Sequence, residues 1–378
     1  MKIKIKSLFT PLNLIIAVIL LAAFYIRVYR IDQLLGFYFD QGRDALVIWD
    51  FWHEGKPFLV GPTTGLAGIF RGPYYYYLIA PFYFLGKGDP IYPTVFLILT
   101  TVAAVWLIYH LAAKIQNRTA GIFAVILASF SYYIVMASRW LSNPTPMILL
   151  SMVLVWAMLK VTEGKKWGWP IISLVAGLSL FSFGSAGEFY YILAIAIFLV
   201  WQWKKRPDLK NLAISVFLFT LTFAPLVLFD LRHEGILRNN MLKTFVEEKS
   251  FTFPTSYLLE NRTRFYYDVF TNKIFHGRGK MEIATFLVIL STFIYHFSAL
   301  IKNKGVRILL ILLLSPMVGL YFYQGNYTVL YDYYMTGYYL IFLLFVAILL
   351  GKIWKFLPGK IFIIYFFYLF FVNNYEPL

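Results

Sequence analysis

Residues 73–86 read PYYYYLIAPFYFLG, and whether this stretch crosses a membrane fixes the side on which every later loop lies. It is apolar enough to be a crossing. As a helix, however, fourteen residues reach only about 21 Å, against a hydrocarbon core of roughly 30 Å. Pro81 interrupts the stretch as well. Charge argues the same way, because counting it as a crossing would put Lys204, Lys205 and Arg206 outside. We therefore read 73–86 as a partial or interfacial helix on the outer side.

That a membrane is involved follows from composition. Of 378 residues 60% are hydrophobic, 20% aromatic and 14% charged, and the mean hydropathy is +0.70. A soluble chain carries roughly 25% charged residues. Too few polar groups exist here to cover a soluble surface, which excludes an ordinary cytosolic enzyme, a disordered chain and a nucleic-acid-binding domain despite the formal charge of +16. The absence of cysteine excludes disulfides, thiolate metal sites and cysteine nucleophiles.

Apolar runs near 11–29, 91–113, 120–138, 144–160, 169–186, 188–203, 211–229, 282–300, 308–324, 333–350 and 361–373 predict an all-α polytopic membrane protein. About eleven transmembrane helices result, with two long outer loops carrying interfacial helices. The first run follows Lys2, Lys4 and Lys6 and is followed by Arg27 and Arg30, which suits an uncleaved anchor. With the N-terminus cytoplasmic, the inside segments hold eighteen cations, opposed by Glu163 and Asp208 alone. The remaining sixteen cations and sixteen acids cancel. All of the net charge thus lies on one face, as insertion into a cell membrane requires; contact with anionic membrane lipid follows, and a nucleic-acid partner does not. Residues 1–378 read as one membrane domain without internal repeats. Its acids crowd into the outer segments 31–90 and 230–281, with Glu282 at the membrane edge, which places any chemistry on the outer face.

Within the first segment, FYFDQGRDALVIWDFWHEG (37–55) reads as an interfacial helix with Asp40 as N-cap and Gly55 as stop. Asp40 and Asp44 are four apart, on one helix face, with Arg43 beside them. Such a group can accept a proton from a hydroxyl, bind a divalent cation or hold a phosphate. The same residues also suit a plain cap and a solvated ion pair worth a fraction of a kcal/mol. Next, GPTTGLAGIFRGP (61–73) lacks the G-K-[ST] ending of a nucleotide loop and suits a mobile loop carrying Arg71. The tyrosines 74–77 suit an aromatic belt or a platform for a sugar.

An N-terminal anchor followed by FDQGRDA and then GIFRGPYYYYLIAPFYFLG resembles the membrane glycosyltransferases of the GT-C fold. The likeness is to their bacterial family-39-type branch, akin to protein O-mannosyltransferases and lipid A aminoarabinose transferases. It extends over roughly residues 30–145 and is topological beyond. It implies a polyprenyl-phosphate-linked sugar as donor, transfer on the outer side of the membrane, and Asp40 in the position of the catalytic aspartate that opens the family's first outer loop. Two departures stand out. The family's glutamate after that aspartate is Gln41 here, which weakens a metal site unless Asp44 substitutes. An acidic residue expected between the third and fourth spans is replaced within SRWLSNP (138–144) by Asn143, with Arg139 nearby.

Other candidates are scattered. Arg232 and His233 in FDLRHE (229–234) sit at outer headgroup level, where a guanidinium would hold a lipid-linked phosphate; they also suit ordinary membrane-edge charges. The segment 230–281 adds Arg262, Arg264, Lys273, Arg278 and Lys280, as in a cover over a polar cavity. Glu188 stands in the short turn GSAGEFY (184–190), facing water or a cavity, and Asp332 is a similar edge residue. The histidines show no zinc spacing.

Together these features predict a membrane glycosyltransferase that moves one sugar from a polyprenyl phosphate to an acceptor hydroxyl or phosphate, with inversion. Asp40 and Asp44 are the candidate catalytic residues; Arg43, Arg71, Arg139, Asn143, Glu188, Arg232 and His233 are the candidate substrate contacts. No tightly bound cofactor is expected, a divalent metal remains open, and the acceptor is a glycan, a protein or a lipid. The alternatives are a lipid-linked glycan flippase and a diphosphate-donor glycan polymerase or ligase. A flippase would bury charges in mid-span and break its helices there, whereas these runs are nearly free of charge.

Overall fold

The computed structural model describes residues 10–66, 68–248, 250–276, 279–323 and 329–375, with backbone alone at 280–282. Lys2, Lys4, Lys6 and Arg278, and the side chains of Lys280 and Glu282, lie outside the described residues. Helices account for most of the chain, and the described residues form no strand, only the isolated bridges Thr63–Phe70 and Phe251–Tyr323.

In chain order the first half comprises α1 (Pro11–Val28), α2 (Phe39–Glu54), α3 (Tyr74–Leu85), α4 (Ile91–Ile115), α5 (Arg118–Phe130), α6 (Tyr132–Arg139) and α7 (Met147–Thr162). It continues through α8 (Gly168–Leu178), α9 (Tyr191–Trp201), α10 (Leu209–Arg232), α11 (Ser256–Thr271), α12 (Lys280–Tyr295), α13 (Lys304–Phe322), α14 (Tyr339–Ile353) and α15 (Leu357–Tyr375). Each apolar run expected from the sequence is helical over most of its described length. Among the described residues six helices are long and apolar enough to cross a membrane, and α5 with α6, bent by 59°, makes a seventh if counted as one span. The other four, at 147–162, 168–183, 188–201 and 283–295, belong to a class of 10–17 residues, which reach at most about 25 Å as helix.

Burial sorts these helices into layers. The segment 332–353 is apolar on all sides and 89% of its most apolar window is buried, so α14 runs through the middle. It packs against α5, α7, α12 and α13. By contrast α1, α10 and α15 keep large apolar side chains exposed, among them Leu21, Phe217 and Ile361. Exposed apolar rows on helices that are apolar all round are stable only against lipid. One continuous apolar core takes in residues of every numbered helix except α10, whose Leu226 joins Ile69 and Leu237 in a smaller second cluster.

Two arginines fix the ends of the first helices. Arg27, fully buried near the end of α1, donates to the carbonyls of Ala128 and Ser129 at the end of α5, each at 2.9 Å. Arg139 donates in return to the carbonyls of Arg27 (3.0 Å) and Ile26 at the end of α1. Each guanidinium satisfies carbonyls that a helix C-terminus leaves without partners.

The stretch 73–86 contains the twelve-residue α3, with Pro81 inside it, lying against α2 and α4. Tyr75 and Tyr76 are buried, and the hydroxyl of Tyr77 donates to the carbonyl of Phe58 (2.9 Å). Tyr75 and Tyr76 therefore pack within the protein, while Tyr74 is half-buried and Tyr77 exposed. The helix expected at 37–55 is α2, ended by Gly55 at φ +67°. Its N-cap is Tyr38, not Asp40. Gln41 reaches back so that its Oε1 accepts from the Tyr38 N–H (3.0 Å), which starts the helix two residues early. Asp40 thereby falls in the first turn, where the helix dipole favours a carboxylate.

Candidate functional site

Early helix initiation sets the geometry of the acidic pair. Arg43 lies between the two carboxylates and engages both. Its Nη1 donates to Asp40 Oδ1 (2.9 Å) and to Thr63 Oγ1 (2.8 Å). Its Nε and Nη2 donate to Asp44 Oδ1 at 2.9 and 2.7 Å. The same oxygen accepts from the Tyr76 hydroxyl on α3 (2.8 Å). The aspartates are unlike in exposure, since the Asp40 side chain is 65% exposed and that of Asp44 only 7%. Burial lifts the Asp44 carboxyl above the usual carboxylate range, against the opposing pull of Arg43 and the Tyr76 hydroxyl. Asp40 is thus the carboxylate a substrate can reach, and Asp44 is the buried group that holds Arg43 in place.

Gln41 does not stand where a metal-binding glutamate would help. Its side chain is buried, and besides the cap it donates from Nε2 to the carbonyl of Leu141 (3.1 Å). It ties the start of α2 to the loop after α6. Among the described residues no group of three or more Asp, Glu or His side chains is arranged to hold a metal ion. At the acidic pair the cation between the carboxylates is Arg43 itself, so the donor set does not fit a divalent ion there.

A cleft of about 470 Å³ opens beside this cluster. One wall is a stripe of α2, with Arg43, Val47, Asp50 and Glu54 at spacings of four, three and four residues. Phe58, Phe70, Tyr76 and Phe229 also line it.

The segment after the cleft is a short hairpin instead of a loose loop. The Gly61 N–H donates to the Arg71 carbonyl (2.7 Å), and the Arg71 N–H donates to the Pro62 carbonyl (2.9 Å). A Cβ at Gly61 would lie 2.2 Å from the Gly72 carbonyl oxygen, so only glycine permits this closeness. The hairpin is pinned where the Gly72 N–H donates to the Phe181 carbonyl and where Asn240 Nδ2 donates to the Gly68 carbonyl (3.0 Å).

Arg71 projects from this hairpin toward Glu188, Tyr333 and Tyr334. Burial lowers its pKa, and those three neighbours act against the loss of charge. Its guanidinium makes no hydrogen bond or ion pair among the described residues. Glu188 is fully buried and faces neither water nor an open cavity. Its oxygens accept from the Ser185 N–H (2.7 Å) and the Gly337 N–H (2.5 Å), which locks the turn before α9 to the turn before α14. Tyr333 packs edge-on against Trp140 (5.4 Å), extending an aromatic wall beside Arg71.

The remaining candidates are placed elsewhere. Arg139 is occupied by the carbonyls at the end of α1. Asn143 donates from Nδ2 to the Phe183 carbonyl (3.1 Å) and ties the loop after α6 to the π-helical end of α8. Arg232 is exposed at the end of α10. His233 stacks on Phe229 (4.1 Å), which in turn meets Phe70 of the hairpin (5.8 Å). Asp332 is held by Lys273, at 2.7 and 3.0 Å. That lysine is fully buried between the rings of Tyr133 (4.5 Å) and Tyr339 (4.2 Å). This pair fastens the segment after α11 onto the start of the central helix. Tyr76, Thr63, Tyr333 and Tyr334 complete the two clusters. No short-range spacing in the sequence marks them, since Tyr76 meets Asp44 across 32 residues.

A family model described as dolichyl-phosphate-mannose-protein mannosyltransferase matches residues 70–229. No curated protein matches the sequence. Among solved structures, ArnT from Cupriavidus metallidurans bound to undecaprenyl phosphate is similar, with a TM-score of 0.65 at 11% identity, over 90% of this chain and 60% of that one. Its apo state gives 0.64 at 11% identity, over 90% and 59%. The Archaeoglobus fulgidus oligosaccharyltransferase in complex with Zn and sulfate gives 0.55 at 13% identity, over 96% of this chain and 52% of that one. The chain therefore spans about 60% of the length of ArnT. It shares the GT-C fold of these structures.

Proposed function

We propose that the chain transfers one sugar from a polyprenyl-phosphate carrier to an acceptor hydroxyl on the outer face of a cell membrane, with inversion. The N-terminus is then cytoplasmic and the clusters of Asp40 and Arg71 face outward. Asp40 accepts the acceptor's proton while the acceptor oxygen attacks the anomeric carbon. An ionised aspartate is a weak base, so proton transfer accompanies attack. The bond from the anomeric carbon to the phosphate oxygen breaks, and the polyprenyl phosphate leaves with the electron pair. Arg71 stabilises the charge that builds on that oxygen. Asp44 and Tyr76 act through Arg43 to aim Asp40, and the wall of Tyr333 and Trp140 gives the sugar a face to stack on.

The observation that carries this reading is the guanidinium of Arg71, set below the surface among Glu188, Tyr333 and Tyr334 without an ionic or hydrogen-bonded partner. A cation in that state is stabilised by an anion that arrives with the substrate, and a phosphate fits guanidinium bidentately. The similar structure of ArnT was bound to undecaprenyl phosphate, which supports a donor of this class. The test is release of radiolabel from a panel of polyprenyl-phosphate sugars by membranes bearing wild type or Asp40→Asn. Release by wild type and a loss of at least a hundredfold in the variant is expected. Equal release by both would remove Asp40 from the chemistry, and no release from any donor would overturn the donor class.

A further inference from the structure

On the membrane-facing side, a groove of about 500 Å³ runs between α9, α13, α12 and the short helix Phe297–Lys302. Leu193 and Ile197 form one wall, Phe293 and Phe297 the other, and Leu310 and Leu314 the floor. Along α13 the lining extends from Arg307 to Val318. Eleven helical steps span about 16 Å, close to half of a hydrocarbon core of roughly 30 Å. The groove thus has the depth of a single leaflet.

One end carries positive charge that the protein does not neutralise. Lys302, Lys304 and Arg307 lie within six residues, and none forms an ion pair among the described residues. Arg307 is held in place, with Nε and Nη2 donating to the Ile301 carbonyl (3.2 and 2.9 Å) and its guanidinium 4.7 Å above the Trp201 ring. Its Nη1 has no partner among the described residues. Asn303, between the two lysines, donates from Nδ2 to the Ile115 carbonyl at 2.7 Å. Lys114, the residue before Ile115, pairs with Glu163, which Lys160 also engages. Apolar walls one leaflet deep beneath an uncompensated cationic rim match one acyl chain and an anionic headgroup.

We infer that this groove binds one anionic phospholipid, its acyl chain between α9 and α13 and its phosphate at Arg307, Lys302 and Lys304. A polyprenyl tail is far longer than one leaflet and does not suit the groove. The site is independent of the transfer reaction and stands or falls without it.

Native mass spectrometry of the delipidated full chain, titrated with dioleoyl-phosphatidylglycerol or dioleoyl-phosphatidylcholine, tests the inference. One phosphatidylglycerol should be retained at least tenfold more tightly than phosphatidylcholine. Lys302→Gln with Lys304→Gln should weaken retention about fivefold per lysine removed. Leu314→Trp, at a position 52% exposed, should fill the groove and abolish retention with the cations intact. Size-exclusion profiles of both variants would establish that they are folded. Equal retention of the two lipids, or full retention by Leu314→Trp, overturns the inference. Displacement of phosphatidylglycerol from the groove by polyprenyl phosphate would overturn the choice of occupant.

Discussion

Replacing Asp44 by asparagine removes one charge and leaves an acceptor oxygen in nearly the same place. In the native cluster that oxygen takes two N–H groups of Arg43 and the hydroxyl of Tyr76, all within 2.9 Å. Hydrogen bonds to a charged group contribute roughly 1.5–3 kcal/mol. Arg43 is 23% exposed and keeps Asp40 and Thr63, so the lower part of that range applies and about 2 kcal/mol should be lost. For a chain of this size that corresponds to a fall in Tm of roughly 2–3 °C. Arg43, freed on one side, swings toward Asp40, and such a displacement of a positioning group reduces kcat by roughly 10–100-fold. Asp40→Asn should behave in the opposite way. It removes one solvent-exposed ion pair, worth roughly 0.2–1 kcal/mol, and leaves Tm within about 2 °C. Its kcat should fall by roughly 10²–10⁴. Scanning fluorimetry on the intrinsic tryptophans and turnover of a polyprenyl-phosphate sugar in detergent measure the two quantities side by side. An Asp44→Asn protein with unmoved Tm and no turnover would refute the assignment of roles and make Asp44 the base.

Arg71→Gln should lower kcat/KM by roughly 10²–10³ with Tm unchanged or raised, because a partly desolvated cation without a partner does not favour the fold; Arg71→Lys should restore part of the rate, since a point charge lacks the bidentate fork. A thermal shift combined with donor titration checks both, and a large loss of Tm in Arg71→Gln would show a structural role instead. The pH profile should carry the mark of Asp44. Its pKa is raised in the folded protein, so it takes up a proton at a higher pH than a free carboxyl and its hold on Arg43 weakens there. An acid limb of kcat/KM above the reference value near 3.9 is expected, and it should vanish in Asp44→Asn. For stability the sign is the reverse: the group favours folding below its unfolded pKa, and that contribution is lost as pH rises through its folded pKa. Turnover and Tm measured across pH 3–8 would check both signs.

Much of this molecule was legible in the sequence because a bilayer imposes a coarse and strict pattern. Apolar runs separated by charge become helices, and each run is helical over most of its described length. What the runs do not encode is length in the folded state. The run at 169–186 ends in a π-helical turn at Ser179–Phe183, and the run at 120–138 bends by 59° at Ser131, whose backbone both closes α5 and opens α6. The first acidic cluster was legible for a local reason, since Asp40, Arg43 and Asp44 share a face at helical spacing. The partners that give each aspartate its character were not, because Thr63 and Tyr76 arrive from other elements. Arg139 and Glu188 show the complementary case. Both are charges at span edges, where sequence favours a substrate contact, yet both are consumed by backbone groups that a bent or broken helix leaves open. A buried charge at a helix break has two explanations of similar weight, and the carbonyls and N–H groups within its reach decide between them.

The two departures from the family pattern have a common physical sense. Gln41 and Asn143 stand where acidic residues were expected, and both direct an amide N–H at a backbone carbonyl, Leu141 in one case and Phe183 in the other. An ionised carboxylate cannot donate such a bond. With glutamate at position 41, the buried contact to Leu141 would become a repulsion between two acceptors, and the start of α2 would lose its tie to the loop after α6. Both amides stitch that loop, one to the start of α2 and the other to the end of α8. The negative charge forgone at these positions is matched by the cation already present, because Arg43 occupies the space between Asp40 and Asp44 that a bound metal would otherwise fill. The acidic pair and its arginine therefore form a self-contained unit at the start of α2, in which two carboxylates share one guanidinium and one negative charge is left over. Only Asp40, with most of its side chain in solvent, is left for a substrate to meet.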